Sequence, residues 1–382
     1  MELPRAESSR PKSRYEGETN DPGGRHATGG TQPVLHYYGV TDEQVRYLTV
    51  DPDRPDAEIV RRAGDVLRRG GLVAFPTETV YGLGANALDA IAVARIFSAK
   101  GRPAYDPLIV HVLNASGARE VAREWPEAAD RLAAAFWPGP LTLVLPKQPV
   151  VPDIVTAGLD TVAVRVPSHP VARAILEAAT VPIAAPSANR FTEVSPTRAE
   201  HVARTLGQRV DLIIDGGPTT VGIESTVVDV SRATPTVLRP GMIPVPELAA
   251  VLGALGIVVA SARGGGEAPR RSPGMLDRHY APRASLLLFD GRTRTQTEAA
   301  ARAHADAGRT VGALLLAPFA APVAHALEMP NDPVGYARAL YHALHTLDAA
   351  GCDVVFVEAV PDTPEWAGVR DRLQRAARPS HA

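Results

Sequence analysis

Residues 56–76 read DAEIVRRAGDVLRRGGLVAFP, and this stretch indicates the fold class. Apolar residues in its first half recur at helical spacing, and the paired glycines Gly70 and Gly71 are the usual signal for the end of a helix. The run GLVAFP (71–76) then has the composition of a short buried strand. A helix followed at once by a buried strand is typical of α/β proteins, so the chain is predicted to contain a sheet covered by helices.

The same two patterns continue to about residue 255. Two further helices are predicted over LDAIAVARIFSAK (88–100), with Asp89 as the N-cap, and over PEAADRLAAAFWPG (126–139). Together these elements predict one large twisted mixed sheet with flanking helices over residues 41–255. Its other strands are predicted at PLIVHV (107–112), LTLVLP (141–146), TVAVRVP (161–167), VPIAAP (181–186), VDLIIDGG (210–217), STVVDV (225–230) and TPTVLRP (234–240).

The two remaining parts of the chain differ from this region. Residues 1–40 are polar and rich in Pro and Gly, which predicts a disordered extension. Residues 256–283 include the Gly- and Arg-rich run SARGGGEAPRRSPGMLDRHYAPR and are predicted to be a linker. Over residues 284–382, strands alternate with helices, which predicts a small Rossmann-like parallel α/β domain. Its strands are SLLLFD, TVGALLLA and CDVVFVEA; its helices are TQTEAAARAHADAG, PVGYARALYHALHTLDAAG and PEWAGVRDRLQRAA.

Composition excludes several classes of protein. The chain has 382 residues, of which 45% are hydrophobic and 21% charged, as in globular proteins. The net charge of -2 argues against a generally basic nucleic-acid-binding surface. A single cysteine, Cys352, excludes an internal disulfide framework and a Cys-based zinc site. No secretory signal or uninterrupted membrane-spanning stretch is apparent, so we expect a cytoplasmic protein without membrane contact.

The sequence GLGANA (82–87) fits the loose dinucleotide-binding pattern G-x-G-x-x-A but lacks its structural context. In that motif a strand directly precedes the first glycine and a helix opens at it. Here PTETVY follows the strand, and the next helix is predicted to begin only at Asp89. A Rossmann cofactor site is therefore not expected at GLGANA, and the chain also lacks a P-loop motif.

Polar residues cluster at the ends of several predicted strands. Each has an ordinary structural explanation: Lys100 and Arg102 suit a helix C-terminus, and His111 suits a hydrogen-bonded core position. Arg165 lies in an apolar alternation, where a carboxylate of the protein or an anionic ligand must balance its charge. Considered together, the clusters predict one crevice suited to phosphate and carboxylate groups. Its candidate residues also include Thr77, Glu78, Thr79, Ser187, Asn189, Glu224, Ser225, Thr226 and Arg239.

Five long motifs in this region occur in the order of a known family. They are PTETVYGLG, KGRPAYDPLIVHV, PSANRFTEVSPT, DGGPTTVGIESTVVD and VLRPG. They resemble the YrdC-type L-threonylcarbamoyladenylate synthases over about residues 70–250. The run SPGMLDRHYAPR and the domain after it resemble the longer, two-domain members of that family.

The resemblance implies a YrdC-like fold and a specific reaction. Such enzymes join L-threonine, bicarbonate or CO2, and ATP into threonylcarbamoyl-AMP and release pyrophosphate, with Mg²⁺ accompanying ATP. A downstream tRNA threonylcarbamoyl transferase machinery then modifies an adenosine in tRNAs that read ANN codons, and direct contact of the enzyme with tRNA is a further expectation. We expect catalysis by positioning and cationic stabilisation of the phosphates.

The resemblance also implies roles for individual residues. Lys100 and Arg102 would face the triphosphate and act as the catalytic cations. L-Threonine would be held by Thr79, His111, Arg165 and Ser225, with Arg165 clamping the carboxylate. ATP would be held by Arg102, Asp106, Thr161, Ser187, Asn189, Ser195, Arg239 and Tyr280.

The chain departs from the family pattern at three positions. Asp106 stands where the family usually has Asn, so its carboxylate requires a metal ion or a cationic partner. Thr192 replaces a usual glycine, which suggests a different turn, and Leu276 replaces a usual lysine. Apolar residues in the linker, Met275, Leu276 and Tyr280, lead us to expect that residues 261–283 lie over the crevice as a lid.

Two other functions compete with this hypothesis. Enzymes of O-carbamoyl transfer contain YrdC-like domains, but they also carry acylphosphatase and zinc-finger-like segments, whereas this chain has one cysteine. The main alternative is a double-stranded RNA- or tRNA-binding module without adenylate chemistry. Steep salt dependence of RNA affinity would identify that alternative.

Overall fold

The computed structural model describes residues 46–260 and 279–378, and all of them fall within one compact unit. The predictions for residues 1–40, for linker residues 261–278 and for Leu276 lie outside the described residues. None of the described helices is long and apolar enough to cross a lipid bilayer.

Eleven strands form the large sheet, in the order β1-β8-β2-β3-β7-β4-β6-β5-β9-β10-β11. Parallel and antiparallel neighbours alternate irregularly, so the predicted mixed sheet is confirmed. The strands are β1 (Arg46–Thr49), β2 (Val73–Pro76), β3 (Tyr81–Asn86), β4 (Ile109–His111), β5 (Leu141–Pro146), β6 (Thr161–Arg165), β7 (Ile183–Ala184), β8 (Leu212–Asp215), β9 (Thr226–Asp229), β10 (Thr236–Arg239) and β11 (Val258–Val259).

Helices flank this sheet where the sequence places capping residues. The Asp56 and Asp89 side chains accept hydrogen bonds from the first backbone amides of α1 and α2. Gly101 ends α2 in the left-handed conformation, with φ of 62°, so the chain turns sharply before Arg102. The helices are α1 (Ala57–Arg68), α2 (Ala90–Lys100), α3 (Ala115–Val121), α4 (Glu127–Phe136), α5 (Asp153–Thr156), α6 (Pro170–Ala179), α7 (Ala199–Thr205) and α8 (Val245–Leu252).

The GLGANA segment belongs to strand β3 rather than to a nucleotide-binding turn. Strand β3 pairs antiparallel with β2, and no helix opens at its glycines. The close packing around Gly84 explains one of these glycines, because a β-carbon there would lie 2.7 Å from the ring of Phe75. This stretch therefore lacks the strand–turn–helix context of a dinucleotide-binding motif.

A second sheet of four parallel strands forms the C-terminal domain, in the order β12-β15-β13-β14. Strand β14 was not predicted, because it lies at the sheet edge and its mostly exposed residues, HALE, lack an apolar pattern. The strands are β12 (Ser285–Phe289), β13 (Val311–Leu315), β14 (His325–Glu328) and β15 (Val354–Glu358), and the helices are α9 (Arg294–Asp306), α10 (Pro333–Ala349) and α11 (Ala367–Ala376).

Helices α10 and α11 pack directly against the large-sheet region. A β-carbon at Gly222 would lie 2.3 Å from the carbonyl oxygen of Ala337 in α10. A β-carbon at Gly368 in α11 would similarly lie 2.5 Å from the carbonyl oxygen of Gly241. Apolar side chains from both sides form one shared cluster, which includes Val80, Val194, Ile223, Tyr336, Leu340 and Leu344. The two domains therefore share a hydrophobic core.

Three histidines lie stacked within this interface. The His201 ring in α7 lies 3.9 Å from the His345 ring and 5.5 Å from the His342 ring, measured between centroids. His345 Nε2 lies 3.1 Å from the carbonyl oxygen of Ser195. Burial disfavours the charged imidazole, and it lowers the pKa of His201 to about 2 and that of His345 to about 4. Both side chains are therefore neutral at pH 7.

These lowered values predict loss of stability in mild acid. Between pH 6.5 and pH 4, His345 is protonated in the unfolded chain but stays neutral in the folded protein. The free energy of unfolding therefore falls as the pH decreases through this range. His345→Gln keeps a donor for the Ser195 carbonyl but does not titrate. When the pH is lowered from 7 to 5, the free energy of unfolding measured in urea should fall by ~1–2 kcal/mol less in the variant than in the parent.

His325→Gln provides the matched control, because His325 is exposed on strand β14. This variant should follow the parent's pH dependence. Parallel curves for the parent and His345→Gln would contradict the assignment of acid sensitivity to the interface.

Candidate active site

A pocket lies on the large sheet at the ends of strands β3, β4, β6 and β10 and beside the start of β9. It collects polar groups that are far apart in the sequence, because neighbouring strands bring their ends to one region of a sheet. Ten residues predicted for the site line it, namely Thr77, Thr79, Arg102, His111, Arg165, Ser187, Glu224, Ser225, Arg239 and Tyr280.

Arg165 is balanced by a carboxylate of the protein. Its Nη2 lies 2.7 Å from Glu78 Oε1, and its Nη1 donates to Thr79 Oγ1 at 2.9 Å. Burial raises the pKa of Glu78, but the Arg165 charge and hydrogen bonds outweigh it, so the net shift is downward. Of the two partners that the sequence left open for Arg165, the described structure therefore shows Glu78.

His111 occupies the strand position beside Arg165, since β4 and β6 pair in register at these two residues. The imidazole is buried, and its Nδ1 has no hydrogen-bond partner within residues 46–260 and 279–378. Burial, followed by the Arg165 charge, lowers the pKa of His111 to about 3. His111 is therefore neutral at pH 7 and offers one unsatisfied ring nitrogen beside the pocket.

Lys100 and Arg102 have different surroundings, although they are two residues apart. Lys100 Nζ donates to the carbonyl oxygens of Ser187 and Asn189, so it holds the loop after β7 and does not line the pocket. Burial, followed by the Arg102 charge, lowers the pKa of Lys100 well below its usual range. Arg102 does line the pocket, and its Nη2 lies 2.9 Å from Asp106 Oδ2. Arg102 is thus the cationic partner that Asp106 requires.

Ser225 lies at the centre of a buried hydrogen-bond network. Its hydroxyl lies 2.8 Å from Thr142 Oγ1 and accepts a hydrogen bond from Arg239 Nη2 at 3.2 Å. Arg239 also donates to the Ser225 carbonyl oxygen through Nε and Nη2. The guanidinium of Arg239 is therefore fixed at the pocket wall by the backbone that precedes β9.

The linker contributes its last residues to the same pocket. His279 and Tyr280 both line it, and Tyr280 adopts a φ of 61°. The Tyr280 hydroxyl is buried without a hydrogen-bond partner among the described residues. Ala281 donates its amide to the Thr192 carbonyl at 3.0 Å, so the end of the linker is tied to the turn after the PSANRF motif.

Six residues predicted for the site do not line the pocket, besides Lys100, and Glu78 and Thr226 are two of them. Asp106 lies behind Arg102, and the amide nitrogen of Asn189 donates to the carbonyls of Arg190 and Glu193. Ser195 donates to Glu224 Oε1 at 2.6 Å and so supports the wall from behind. Thr161 lies at the opposite end of β6 from Arg165.

Sequence reasoning gave no role to several residues that shape the site. Glu78 and Glu224 were noted beside strands, but their partners were not identified. Arg372 and Tyr341, in α11 and α10, contact Glu224 at 2.7 and 3.0 Å and were missed. Their helices have ordinary amphipathic patterns, and the partner lies more than 100 residues away, so no local signal could have identified them.

The site is chemically suited to anionic ligands. Arg102, Arg165 and Arg239 line one pocket, and each is held by carboxylate or backbone oxygens before any ligand arrives. Cations fixed in a buried site stabilise phosphate or carboxylate charge more strongly than they would in water. Glu78, Asp106 and Glu224 each lie against an arginine, so each of these buried carboxylates has a cationic partner.

Comparisons with known proteins agree with this arrangement. A family model described as "Telomere recombination", for the Sua5, YciO and YrdC proteins, matches residues 65–241. A model described as "Threonylcarbamoyl-AMP synthase, C-terminal domain" matches residues 243–378. The threonylcarbamoyl-AMP synthase of Pyrococcus abyssi is 44% identical over 83% of this chain and 94% of its own. That of Bacillus subtilis is 40% identical over 89% of this chain and 96% of its own.

A solved structure extends the similarity to three dimensions. The crystal structure of P. abyssi Sua5 complexed with L-threonine superimposes with a TM-score of 0.81. It shares 42% identity over 87% of this chain and 97% of that chain.

The fold and the comparisons together define the class of protein. The chain is a two-domain α/β enzyme of the kind that forms an adenylate by nucleotidyl transfer. It belongs to the threonylcarbamoyl-AMP synthase family.

The turn at Thr192 yields a test of local strain. Thr192 has a φ of 68°, a left-handed conformation that glycine adopts freely and a β-branched residue rarely adopts. The backbone therefore keeps a glycine-type conformation despite the threonine. Thr192→Gly should raise the free energy of unfolding by ~0.5–1 kcal/mol, measured by urea unfolding, because relief of strain exceeds the added backbone entropy.

Thr220→Gly is the matched control, since Thr220 is an exposed loop threonine outside the positive-φ region. This control should lose stability. Equal losses in both variants would show that Thr192 is not strained.

Proposed function

We propose that this chain forms L-threonylcarbamoyl-AMP and pyrophosphate from L-threonine, bicarbonate or CO2, and ATP. The observation that carries the proposal is the convergence of Arg102, Arg165 and Arg239 with neutral His111 in one pocket. Family membership supports the same reaction, and the P. abyssi relative has been crystallised with L-threonine. The product would supply the threonylcarbamoyl group for adenosine modification in tRNAs that read ANN codons.

The threonine subsite is proposed at Arg165, His111, Thr79 and Ser225. The Arg165 guanidinium would bind the substrate carboxylate, as a charge-assisted pair. Glu78 already contacts Arg165, so it fixes the guanidinium and leaves less positive charge to attract other anions. Because His111 is neutral, its Nδ1 would hydrogen-bond to threonine without placing a second positive charge beside Arg165.

The ATP subsite is proposed on the side of the pocket that contains Arg102, Ser187, Arg239 and Tyr280. Arg102 and Arg239 would contact the phosphates, and Tyr280 would contact the nucleotide from the linker. Asp106, Thr161, Asn189 and Ser195 stay predictions as ATP-binding residues, and their positions outside the pocket lining favour indirect roles. Lys100 would act by holding the Ser187–Asn189 loop rather than by touching phosphate.

Mg²⁺ enters this proposal as part of the ATP substrate. The carboxylates next to the pocket are paired with arginines. The phosphate oxygens of ATP would therefore supply the oxygen ligands that Mg²⁺ prefers. The ion would neutralise charge on the phosphates during transfer.

The reaction requires two bond-forming steps. The threonine amine bonds to the carbon of CO2 and releases a proton to solvent, which gives a carbamate; bicarbonate would first take up a proton and lose water to give CO2. A carbamate oxygen then attacks the α-phosphorus, and the bond to the bridging oxygen breaks as its electron pair leaves with pyrophosphate. The fixed arginines would align the two anionic substrates and stabilise charge in the transition state.

The proposed reaction does not require RNA binding or a downstream partner, so these two predictions are considered separately. The tRNA threonylcarbamoyl transferase machinery would consume the adenylate, and direct tRNA contact stays a prediction. The described end of the linker reaches the pocket, where His279 and Tyr280 are lining residues.

The reaction is tested by following pyrophosphate release while L-threonine and bicarbonate are each omitted. We expect release only when both are present with MgATP, together with a threonylcarbamoyl-AMP peak on chromatography. Release without threonine would point to another acceptor. No turnover, combined with salt-sensitive tRNA binding, would favour the RNA-binding module.

Arg165→Lys tests the threonine subsite without leaving Glu78 unpaired. Lysine keeps the positive charge but cannot form the two parallel hydrogen bonds of a guanidinium. In steady-state kinetics we expect the threonine KM to rise about 10–100-fold, while the ATP KM changes by less than about threefold.

Arg173→Lys is the control, because Arg173 contacts the Leu113 carbonyl outside the pocket. It should leave both KM values unchanged. An unchanged threonine KM in Arg165→Lys would remove Arg165 from the subsite.

A further inference from the structure

Glu224 joins the pocket wall to the C-terminal domain. Ser195 donates to its Oε1 at 2.6 Å, whereas Arg372 Nε and Tyr341 donate to its Oε2 at 2.7 and 3.0 Å. Glu224 and Arg372 are both buried, and Glu224 itself lines the pocket. The carboxylate therefore connects three distant parts of the chain at one point.

Arg372 also holds the backbone on two sides of the pocket. Its Nη2 donates to the Glu224 carbonyl at 3.2 Å, and its Nη1 donates to the Pro240 carbonyl at 2.9 Å. Glu224 directly precedes Ser225, and Pro240 directly follows Arg239. One planar guanidinium thus sets the distance between the segments that carry two pocket-lining side chains.

The linker residue Tyr280 belongs to the same arrangement. The Arg372 guanidinium carbon lies 5.1 Å from the centroid of the Tyr280 ring, within the range of a cation–π contact. The centroid of the Tyr341 ring lies 5.9 Å from that of the Tyr280 ring. Two side chains of the C-terminal domain therefore contact a third element of the pocket wall.

We propose that Arg372, supplied by the C-terminal domain, is a positioning residue for adenylate formation. Through Glu224 and Pro240 it fixes Ser195, Ser225 and Arg239, and through its guanidinium face it fixes Tyr280. The proposal rests on the proposed function, since it assigns a role in that reaction. The C-terminal domain then completes the active-site wall instead of serving as a separate binding module.

A purely structural role explains this pair less well. Burying two charges costs desolvation energy, and apolar side chains such as Ile223 and Leu340 already fill the adjoining interface. A charged pair adds directional hydrogen bonds that apolar contacts lack, and displacement of a reacting group by about 1 Å can cost about a hundredfold in rate. Directional fixation at a pocket wall accounts for the choice of residues.

Arg372→Met tests the proposal in the full-length enzyme. Methionine preserves bulk but removes every hydrogen bond from Arg372 to Glu224 and Pro240. We expect the KM values for both ATP and threonine to rise at least about tenfold, with a lower kcat per folded molecule. A structural defect alone would reduce the folded, active fraction and hence Vmax, but it would leave both KM values unchanged.

Arg370→Met is the matched control on the same helix. Arg370 is also an ion-paired arginine, but its partner is Asp362 in the C-terminal domain, away from the pocket. Both KM values in this variant should stay within about twofold of the parent. Unchanged KM values in folded Arg372→Met would overturn the proposal.

Arg372→Lys keeps the test decisive if Arg372→Met does not fold. Lysine maintains the charge beside Glu224 but cannot bridge Glu224 and Pro240 with the same fork, so both KM values should rise at least about threefold. Parent-like KM values in Arg372→Lys would then overturn the proposal. Absence of adenylate formation by the parent enzyme would instead contradict the proposed function, so the two failures are distinguishable.

Discussion

The active-site region depends on the matching of buried positive charges. Lys100, Arg102, Arg165 and Arg372 are each almost completely buried, and each contacts backbone carbonyls, carboxylates or both. An unmatched buried charge would cost several kcal/mol, roughly the stability of a marginal domain. The positions of these cations are therefore fixed by the same oxygens that make their burial possible.

Fixation of the cations has a direct consequence for catalysis. A flexible surface arginine must lose conformational freedom when it meets a phosphate, whereas Arg102 and Arg165 have already lost it on folding. Their carboxylate partners also reduce the net positive charge of the pocket. Asp106 matters most in this respect, because a carboxylate offsets the charge of Arg102 and an amide would not. An arriving phosphate must therefore share Arg102 with Asp106.

The sequence allowed the fold and the location of the site to be predicted, but not its internal pairing. The polar clusters at strand ends can be recognised in the sequence because each one lies directly beside an apolar run. Arg165 within TVAVRVP requires a partner because burial of an unpaired charge is costly. Whether the partner of Arg165 is Glu78 or a ligand depends on which strands become neighbours in the sheet, and the local sequence does not show this. The Arg372 contact depends on domain docking across 148 residues and leaves no local pattern. Thr161 shows the converse limit, because a motif match does not fix which end of a strand faces the pocket.

Docking of the C-terminal domain and organisation of the pocket are coupled by their shared contacts. Gly222 and Gly368 permit backbones of the two domains to approach closely, and Arg372 contacts Glu224 across the same interface. A ligand that binds more tightly when the C-terminal domain is docked stabilises the docked arrangement by the same coupling free energy, since binding linkage is reciprocal. The hydrophobic cluster that includes Ile223 and Tyr336 packs the two domains together, while the buried ion pair adds directional contacts. Stability and alignment thus come from different contacts within one interface.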